Sequence, residues 1–328
     1  MMRRRDVIAS IGALAVSPRL AWAQTKLTRI GLLIPSAADA PASRENFGAV
    51  KQGLAEFGYA EGQNIVYEER HGNGTPERLA AMAAELVAAK VDIIVAIATP
   101  AARAAQQATT TIPIVVGSVG DPVQDGFVAS LSRPGGNITG TTFLGPELVP
   151  KRFALLKELL PEVARVAVLW NPKAFGEKTN AGMVEQTGEA AKALGIDVTY
   201  FEVPGIDRFE DVVAAAAHQA DALFQFPNPT FFENRKVLVD LAARHHVPAA
   251  FNAREFVAVG GLIGYGASPV ALNRRTAVFV DKIIKGAKPA DLPVEQPTVF
   301  DFAINRTTAT SLGITIPNTL LATAEVID

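Results

Sequence analysis

The sequence predicts an α/β protein with two lobes, each built around a parallel sheet. Short β-rich runs alternate with longer segments whose apolar residues recur at helical spacing along most of the chain. The alternation restarts after Gly135-Gly136, which gives two successive sets of strand and helix units, each of ~100 residues or more. Two ordinary lobes accommodate these sets better than one oversized sheet, and a closed barrel is the main alternative.

In the first set, the segment 43–57 places Phe47, Val50 and Leu54 on one face of a helix. The run 93–98 is continuously apolar, which is typical of a parallel strand buried on both faces. Thr-Pro at the start of another helix supplies an N-cap and a proline at the first helical position. The predicted elements are strands at 28–34, 64–69, 93–98 and 114–117, and helices at 43–57 and from Pro76 (capped by Thr75) and Pro100.

The second set repeats the alternation with the same spacing. A further helix at 270–284 follows it, and the final stretch 317–328 either packs on the second lobe or is disordered. A short strand at 138–142 precedes this set, whose predicted elements are strands at 166–170, 198–202 and 222–226, and helices at 151–160, 177–194 and 209–217.

The first 23 residues have the pattern of an export signal. A basic start at Arg3 to Arg5 precedes an apolar run at 7–16, and Ala21-Trp22-Ala23 is a small-x-small cleavage site. The run is shorter than the roughly 20 residues that span a bilayer, so we expect cleavage before Gln24 and no membrane anchor. The Arg4-Arg5 pair resembles a twin-arginine signal, and the general secretory route is the alternative.

Composition narrows the function classes. The chain contains no cysteine, which excludes a lipoprotein and a disulfide-stapled fold, so we expect a freely diffusing periplasmic protein. The formal net charge is −2, and removal of residues 1–23 leaves the mature chain at −5. A modestly acidic exported protein is a poor candidate for binding nucleic acid or anionic lipid.

The predicted architecture places the residues that could contact a ligand in the loops that follow the strands. In open parallel sheets a ligand lies beyond the carboxyl ends of the strands, close to helix N-termini. Helix capping and turn formation explain each loop alone, but five such loops around one cleft indicate a binding site. Most of them combine a small polar residue with proline, and they lie at 34–37, 98–101, 117–122, 170–172 and 226–230.

Several motifs together carry a resemblance to a known family. They are Asp121-Pro122, 131–140, 169–172, 260–266, 292–297 and 312–317. In combination they resemble the ABC transporter substrate-binding proteins of the tryptophan-binding-protein-like family. The match covers essentially the whole mature chain. One departure is Gly264-Tyr265-Gly266, because serine or methionine often precedes the tyrosine in that family.

The resemblance implies a type I periplasmic binding protein. Such a protein has two Rossmann-like lobes joined by a three-strand hinge, closes on a small solute and delivers it to an ABC permease of the inner membrane. We expect a monomer, with the helix 270–284 returning to the first lobe. The expected boundaries are 27–143 plus about 267–292 for lobe 1, and 144–266 plus about 293–328 for lobe 2.

Candidate ligand contacts follow from their chemistry. The hydroxyls of Ser36 and Thr99 suit a carboxylate, and Asp121 suits an ammonium or hydroxyl group. Asparagines offer adaptable hydrogen bonds, whereas aromatic side chains, including Trp170 and Phe251, can stack on a solute or belong to the core. We expect an amino acid or a small aromatic or branched acid. The predicted contacts are Ser36, Ala37, Thr99, Pro100, Ala101, Ser118, Asp121, Phe143, Asn171, Asn228, Thr230, Asn252 and Tyr265.

An enzyme is the competing class, but its sequence signatures fail. Gly72-Asn73-Gly74 lacks the third glycine of a dinucleotide fingerprint, and Gly117 to Gly120 lacks the first glycine of a nucleophile elbow. The four histidines lack metal-ligand spacing. We therefore expect no catalysis, metal or cofactor. The alternatives are an exported hydrolase and a periplasmic receptor that feeds a chemoreceptor or sensor kinase.

Overall fold

The computed structural model describes residues 27–73 and 75–328, which form two sheets of five and seven strands. Both sheets are mainly parallel, which confirms the predicted α/β class. The predicted export signal, residues 1–23, lies outside the described residues. Within the described ranges, no helix is long and apolar enough to cross a membrane.

The first sheet contains every strand that the sequence predicts for it. Along the chain, its lobe consists of β1 (Thr28–Ile34), α1 (Pro41–Glu56), β2 (Ile65–His71), α2 (Pro76–Ala88), β3 (Ile93–Ile97), α3 (Ala98–Ala108), β4 (Ile114–Val119) and β5 (Ile138–Thr142). The strand order is β2-β1-β3-β4-β5, and all neighbours are parallel. The N-cap of α2 is confirmed, because the Thr75 hydroxyl accepts a hydrogen bond from the Arg78 N–H at 3.4 Å.

Strand β3 shows how this sheet buries both faces. Ile94 and Ala96 pack into an apolar cluster with residues of α2 and α3. Ile93, Val95 and Ile97 point the other way and pack with residues of α1. Because side chains alternate across a strand, a continuous apolar run serves two cores, and the predicted burial is confirmed.

The second lobe also alternates strands with helices, and its later elements are shorter. Its first part consists of α4 (Val149–Leu159), β6 (Arg165–Trp170), α5 (Glu177–Leu194), β7 (Asp197–Glu202), α6 (Phe209–Gln219), β8 (Ala222–Gln225), α7 (Pro229–Glu233), α8 (Arg235–Arg244), β9 (Ala249–Phe251), α9 (Arg254–Val257) and β10 (Ile263–Gly266). Single 3₁₀ turns lie at Pro146–Leu148, Ile206–Arg208 and Pro289–Asp291.

The last part of the chain contributes elements to both lobes. It consists of α10 (Pro269–Ile284), β11 (Asp301–Asn305), α11 (Arg306–Ser311), α12 (Asn318–Leu321) and β12 (Glu325–Ile327). The second sheet has the order β12-β11-β10-β9-β8-β6-β7, in which β11 runs antiparallel to β10. The C-terminal stretch therefore packs on the second lobe, since β12 pairs with β11.

Helix α10 belongs to the first lobe by its packing, although it follows the second lobe in sequence. It lies across α1, and a Cβ built on Gly53 of α1 would stand 2.5 Å from the Arg274 carbonyl oxygen. Ala277 and Val280 of α10 join the apolar cluster of α1 and β3. A glycine at the crossing point thus permits a close helix contact.

The chain passes between the two sheets three times. It does so after β5, between β10 and α10, and between α10 and β11. The first and third passages lie side by side, because the Glu295 N–H donates to the Gly140 carbonyl at 2.9 Å and the Thr142 N–H donates to the Glu295 carbonyl at 3.0 Å. Such a bundle of connections can act as a hinge, while the exact lobe boundaries stay predictions.

Candidate functional site

A cavity lies between the two lobes at the carboxyl ends of their strands. The volume that the centre of a water molecule can occupy in this cavity is about 80 Å³. One water needs ~10–15 Å³ on that measure, so the cavity holds several waters or one small solute. The lining residues are Ile34, Pro35, Ser36, Ala42, Asn46, Ile97, Ala98, Ser118, Phe143, Gly145, Leu148, Arg152, Phe175, Pro227, Asn228, Pro229, Phe232, Asn252, Tyr265, Ala267, Pro269 and Asn273.

Six of the thirteen predicted contacts line this cavity. Two are serines at strand ends of the first lobe, two are asparagines that follow β8 and β9, and two are aromatic residues, one directly after β5 and one in β10. They are Ser36, Ser118, Asn228, Asn252, Phe143 and Tyr265. Because their positions follow from the carboxyl ends of the strands, the sequence rule located the cleft. Their contact with a ligand stays a prediction.

In the first lobe, five predicted contacts lie outside the lining, and local hydrogen bonding or packing accounts for Thr99, Asp121 and Ala101. The Thr99 hydroxyl is buried and accepts from the Gly120 N–H at 3.0 Å. The Asp121 carboxylate accepts from the N–H groups of Val123 and Gln124, so it caps the turn that follows. Ala101 is fully buried in the core, and Pro100 beside it also lies outside the lining.

Ala37 and two predicted contacts of the second lobe lie outside the lining in the same way. The Ala37 carbonyl accepts from the Ser43 hydroxyl at 2.6 Å. The Asn171 side chain accepts from the Lys173 N–H at 2.9 Å, which shapes a turn. Thr230 starts α7, where its N–H donates to the Asn228 side chain at 2.7 Å.

The two aromatic residues with an alternative core role take that role. Phe251 is buried and stacks on Phe256 with ring centroids 4.8 Å apart. Trp170 is half-buried and meets Tyr200 edge-on at 5.9 Å. Neither lines the cavity.

A pair of buried amides forms part of the wall on the first lobe. Asn273 of α10 donates through Nδ2 to Asn46 Oδ1 at 2.6 Å, and Asn46 donates through Nδ2 to the Ala42 carbonyl at 2.8 Å. Within the described part of the chain, the buried Asn273 Oδ1 has no hydrogen-bond partner. Buried polar atoms are normally paired, and this oxygen lies against Gly117 of β4, where a built Cβ would stand 2.5 Å from it.

Asn228 presents the opposite chemistry from the second lobe. Its Oδ1 caps α7 by accepting from the Thr230 N–H, and this fixes the orientation of the amide. Its buried Nδ2 lacks an acceptor among the residues that the structure describes. One unpaired acceptor and one unpaired donor are therefore buried in residues of the cavity wall, on opposite lobes.

Arg152 is the one charged residue among the described lining residues. It lies on α4, is 3% exposed, donates to the Gln225 carbonyl and stacks on Phe224 with Cζ 4.2 Å from the ring centroid. Its Nε has no partner within the described ranges. Burial away from any carboxylate lowers the pKa of Arg152 to about 9.

Aromatic rings form the remainder of the wall. Phe143 and Phe175 lie 5.3 Å apart between ring centroids, and Phe175 precedes α5 of the second lobe. Phe232 of α7 and Tyr265 of β10 also line the cavity. Rings of this kind offer large apolar contact area to a flat or branched solute.

Left-handed backbone conformations occur at three non-glycine residues around the cavity. Ala98 has φ 67°, Ser118 has φ 53° and Leu144 has φ 57°. Each costs of the order of 1–3 kcal/mol, and such residues concentrate at ligand sites. The first two line the cavity directly, and Leu144 follows the lining residue Phe143.

The sequence analysis missed several lining residues that sit on helices rather than in loops. They are Asn46, Arg152, Phe232 and Asn273, and Phe175, which precedes α5, was missed as well. A usable signal exists for Arg152, because Val149, Phe153 and Leu156 of the same helix are buried. A charged side chain on the apolar face of a helix is therefore a signal for a site.

Side-chain contacts join the two lobes beside the cavity. Thr179 of α5 donates to Asp125 Oδ1 at 3.0 Å and accepts from the Asp121 N–H at 3.2 Å. Arg235 of α8 pairs with Glu45 of α1 at 2.9 Å. These contacts favour an arrangement in which the lobes approach each other over the cavity.

Glu255 lies beside the passage from β10 to α10. The Ser268 hydroxyl donates to Glu255 Oε1 at 2.6 Å, while Oε2 is buried without a partner among the described residues. Burial raises the pKa of Glu255, the Ser268 and backbone hydrogen bonds lower it, and Glu45 and Asp301 raise it further, with a net increase. The folded protein therefore keeps this proton to a higher pH than the unfolded chain does.

We expect Glu255→Gln to be more stable than the wild type at neutral pH. A raised carboxyl pKa contributes stability below the unfolded value of ~4.3, and this contribution is lost as the pH rises through the folded pKa. The advantage of the variant should therefore shrink as the pH falls from 7 to 4. Thermal unfolding of both proteins across that range measures the difference in Tm.

Glu325→Gln is the matched control, because Arg254 lowers the pKa of the exposed Glu325. A lowered pKa contributes stability above the unfolded value, so this variant should be slightly less stable at neutral pH and approach the wild type on acidification. A Tm difference for Glu255→Gln that does not change with pH would contradict the assignment.

The chain is similar over most of its length to proteins of known family. A family model described as "ABC transporter substrate binding protein" matches residues 34–327. The curated "Tyrosine-binding protein" of Clostridioides difficile is 26% identical over 262 residues, which are 80% of this chain and 74% of the relative.

Two solved structures match 92% of this chain and their own whole length. A conserved domain protein from Vibrio cholerae O1 biovar El Tor has a TM-score of 0.85 at 29% identity. An ABC domain from Streptococcus pneumoniae, solved in complex with L-Trp, has a TM-score of 0.83 at 30% identity.

Proposed function

This chain belongs to the family of ABC transporter substrate-binding proteins, and on that premise we propose that it captures an amino acid between its lobes, with aromatic amino acids as the first candidates. Proteins of this family bind a solute without transforming it, so the chain is a binding protein and not an enzyme. The bound solute passes to an ABC permease of the inner membrane, and the chain works in the periplasm as a monomer.

One observation carries this proposal: the cavity is built by both lobes and by the segments that connect them. A ligand that contacts both lobes interacts more strongly with the closed arrangement than with an open one. Binding therefore shifts the population toward closure, and a permease can distinguish the loaded protein from the empty one by its shape.

The lining chemistry supports a solute with an apolar body and a polar end. Phe143, Phe175 and Tyr265 surround apolar space, and the lining also includes the polar residues Asn273 and Asn228. A relative named for tyrosine and a similar structure that holds L-Trp agree with this chemistry. The proposed contacts are Ser36, Asn46, Ser118, Phe143, Arg152, Phe175, Asn228, Phe232, Asn252, Tyr265 and Asn273.

The proposal is tested on the mature protein, residues 24–328. Native mass spectrometry followed by denaturation identifies any solute that co-purifies, and calorimetry of the refolded protein measures Kd for the twenty amino acids. We expect one solute per chain and a rise in Tm with its concentration, because a ligand that binds only the folded state stabilises it by mass action. An empty protein that no amino acid binds or stabilises would refute the ligand class.

A further inference from the structure

Arg152 is unusual among the ionic groups of this protein. Most of the half-buried arginines pair with a carboxylate, as Arg235 does with Glu45 and Arg29 does with Glu68. Within the described chain Arg103 hydrogen-bonds only to Gln106 and to the Asp125 carbonyl, but it is less buried than Arg152. Among the described residues Arg152 has no carboxylate partner, and its single hydrogen bond goes to the neutral Gln225 carbonyl. An unpaired buried charge is costly, and native proteins retain one where something outside the chain neutralises it.

The position of Arg152 indicates what that neutralising group is. The residue lines the ligand cavity, and it is 3% exposed. A planar guanidinium with free N–H groups matches a carboxylate in shape and charge. The ring of Phe224 holds it from one face, so little conformational freedom is lost when a carboxylate binds.

The cavity has no matching site for a cation. No Asp or Glu occurs among the described lining residues. The acidic residue Glu233 is hydrogen-bonded to the lining residue Ser36 and does not itself line the cavity. Hydrogen-bond acceptors for an ammonium among the described lining residues are therefore neutral oxygens.

From this asymmetry we infer that Arg152 is the carboxylate anchor of the site and that the protein selects its solute by the acidic end. This inference rests on the proposed function and adds a charge rule, which states which charged groups a solute must carry to bind. Solutes with a carboxylate bind whether or not they carry an amine, and cationic solutes without a carboxylate are rejected. The anchor lies on the second lobe, and the polar lining residues Ser36 and Asn46 lie on the first, so an amino acid that contacts both sets joins the lobes.

The test compares analogues that differ at one end. Calorimetry on the wild-type protein measures L-tryptophan and L-tyrosine, their amides, tryptamine and tyramine, and the deaminated acids indole-3-propionate and 3-(4-hydroxyphenyl)propionate. Loss of the carboxylate should weaken binding by about 10–150-fold, because hydrogen bonds to charged groups contribute ~1.5–3 kcal/mol. Loss of the amine should weaken it less, by roughly tenfold or under.

Variants of Arg152 supply the second arm. Arg152→Met should weaken binding of the two amino acids by about 10–150-fold and leave binding of their amides unchanged. Arg152→Lys should retain part of the affinity, since it keeps the charge without the planar fork. The Tm of the ligand-free Arg152→Met protein reports folding, and removal of an unpaired buried charge should not lower it substantially.

The possible outcomes separate the two proposals. If the amino acids bind and the amides or amines bind equally well, the charge rule is wrong while the binding function stands. If Arg152→Met weakens acids and amides alike, Arg152 has only a packing role. If no member of the series binds the wild-type protein, the proposed ligand class fails together with its anchor.

Discussion

Replacing Gly140 by alanine is expected to lower the free energy of unfolding of the first lobe by about 2–6 kcal/mol. Gly140 lies in β5 at φ 140°, a conformation that residues with a Cβ rarely adopt. A Cβ there would stand 2.0 Å from the Val116 carbonyl oxygen and 2.6 Å from the Val116 nitrogen of the neighbouring strand. Both obstacles are backbone atoms, so they cannot move aside as a side chain would.

Urea unfolding, followed by circular dichroism, measures this loss, with separate midpoints fitted if the lobes unfold in two steps. Gly48→Ala is the control, because Gly48 is an exposed residue of α1 and a Cβ there would have no other atom within 4 Å. That substitution should stabilise the protein by about 0.5–1 kcal/mol. A Gly140→Ala protein as stable as the wild type would show that β5 and β4 can separate without cost.

Phe175→Ala is expected to raise the Kd for the captured solute by about 10–100-fold. Phe175 lines the cavity, is half-buried and packs against Phe143 with ring centroids 5.3 Å apart. A Cβ on Gly120 of the first lobe would lie 3.4 Å from its ring, so Phe175 contacts both lobes around the solute. Truncation removes apolar contact with the ligand and part of the closed interface.

Calorimetry with L-tryptophan or L-tyrosine gives the change in Kd, and the Tm of the ligand-free variant verifies folding. Phe57→Ala serves as the matched control, because Phe57 is 44% exposed and lies after the far end of α1, outside the cavity lining. It should leave Kd unchanged. Equal Kd values for Phe175→Ala and the wild type would place the solute elsewhere in the cleft.

The sequence predicted the two sheets well, for reasons that are local. The continuous apolar run of β3 and the Thr75-Pro76 start of α2 are signals that a few neighbouring residues determine. The short strands β9, β11 and β12 were not predicted, since strands of three to five residues give too little periodicity. Their pairing depends on residues far away in sequence.

The candidate site was predicted in outline and missed in its polar chemistry. Loops after strands are recognisable from sequence, which is how Ser36 and Asn228 were found. Asn46 and Asn273 come from helices that meet only in the folded lobe, 227 positions apart in sequence. Nothing in their local sequence distinguishes them from ordinary helical asparagines, so their pairing becomes visible only in three dimensions.

The late return of α10 to the first lobe has a consequence for biosynthesis. One face of α1 stays uncovered until the residues of α10, Pro269–Ile284, have been synthesised. The second sheet lacks β11 and β12 until synthesis has reached the end of the chain. A ribosome therefore releases nearly the whole polypeptide before either lobe can finish its core. We therefore expect nascent chains of this protein to expose apolar surface for longer than chains whose domains are continuous in sequence.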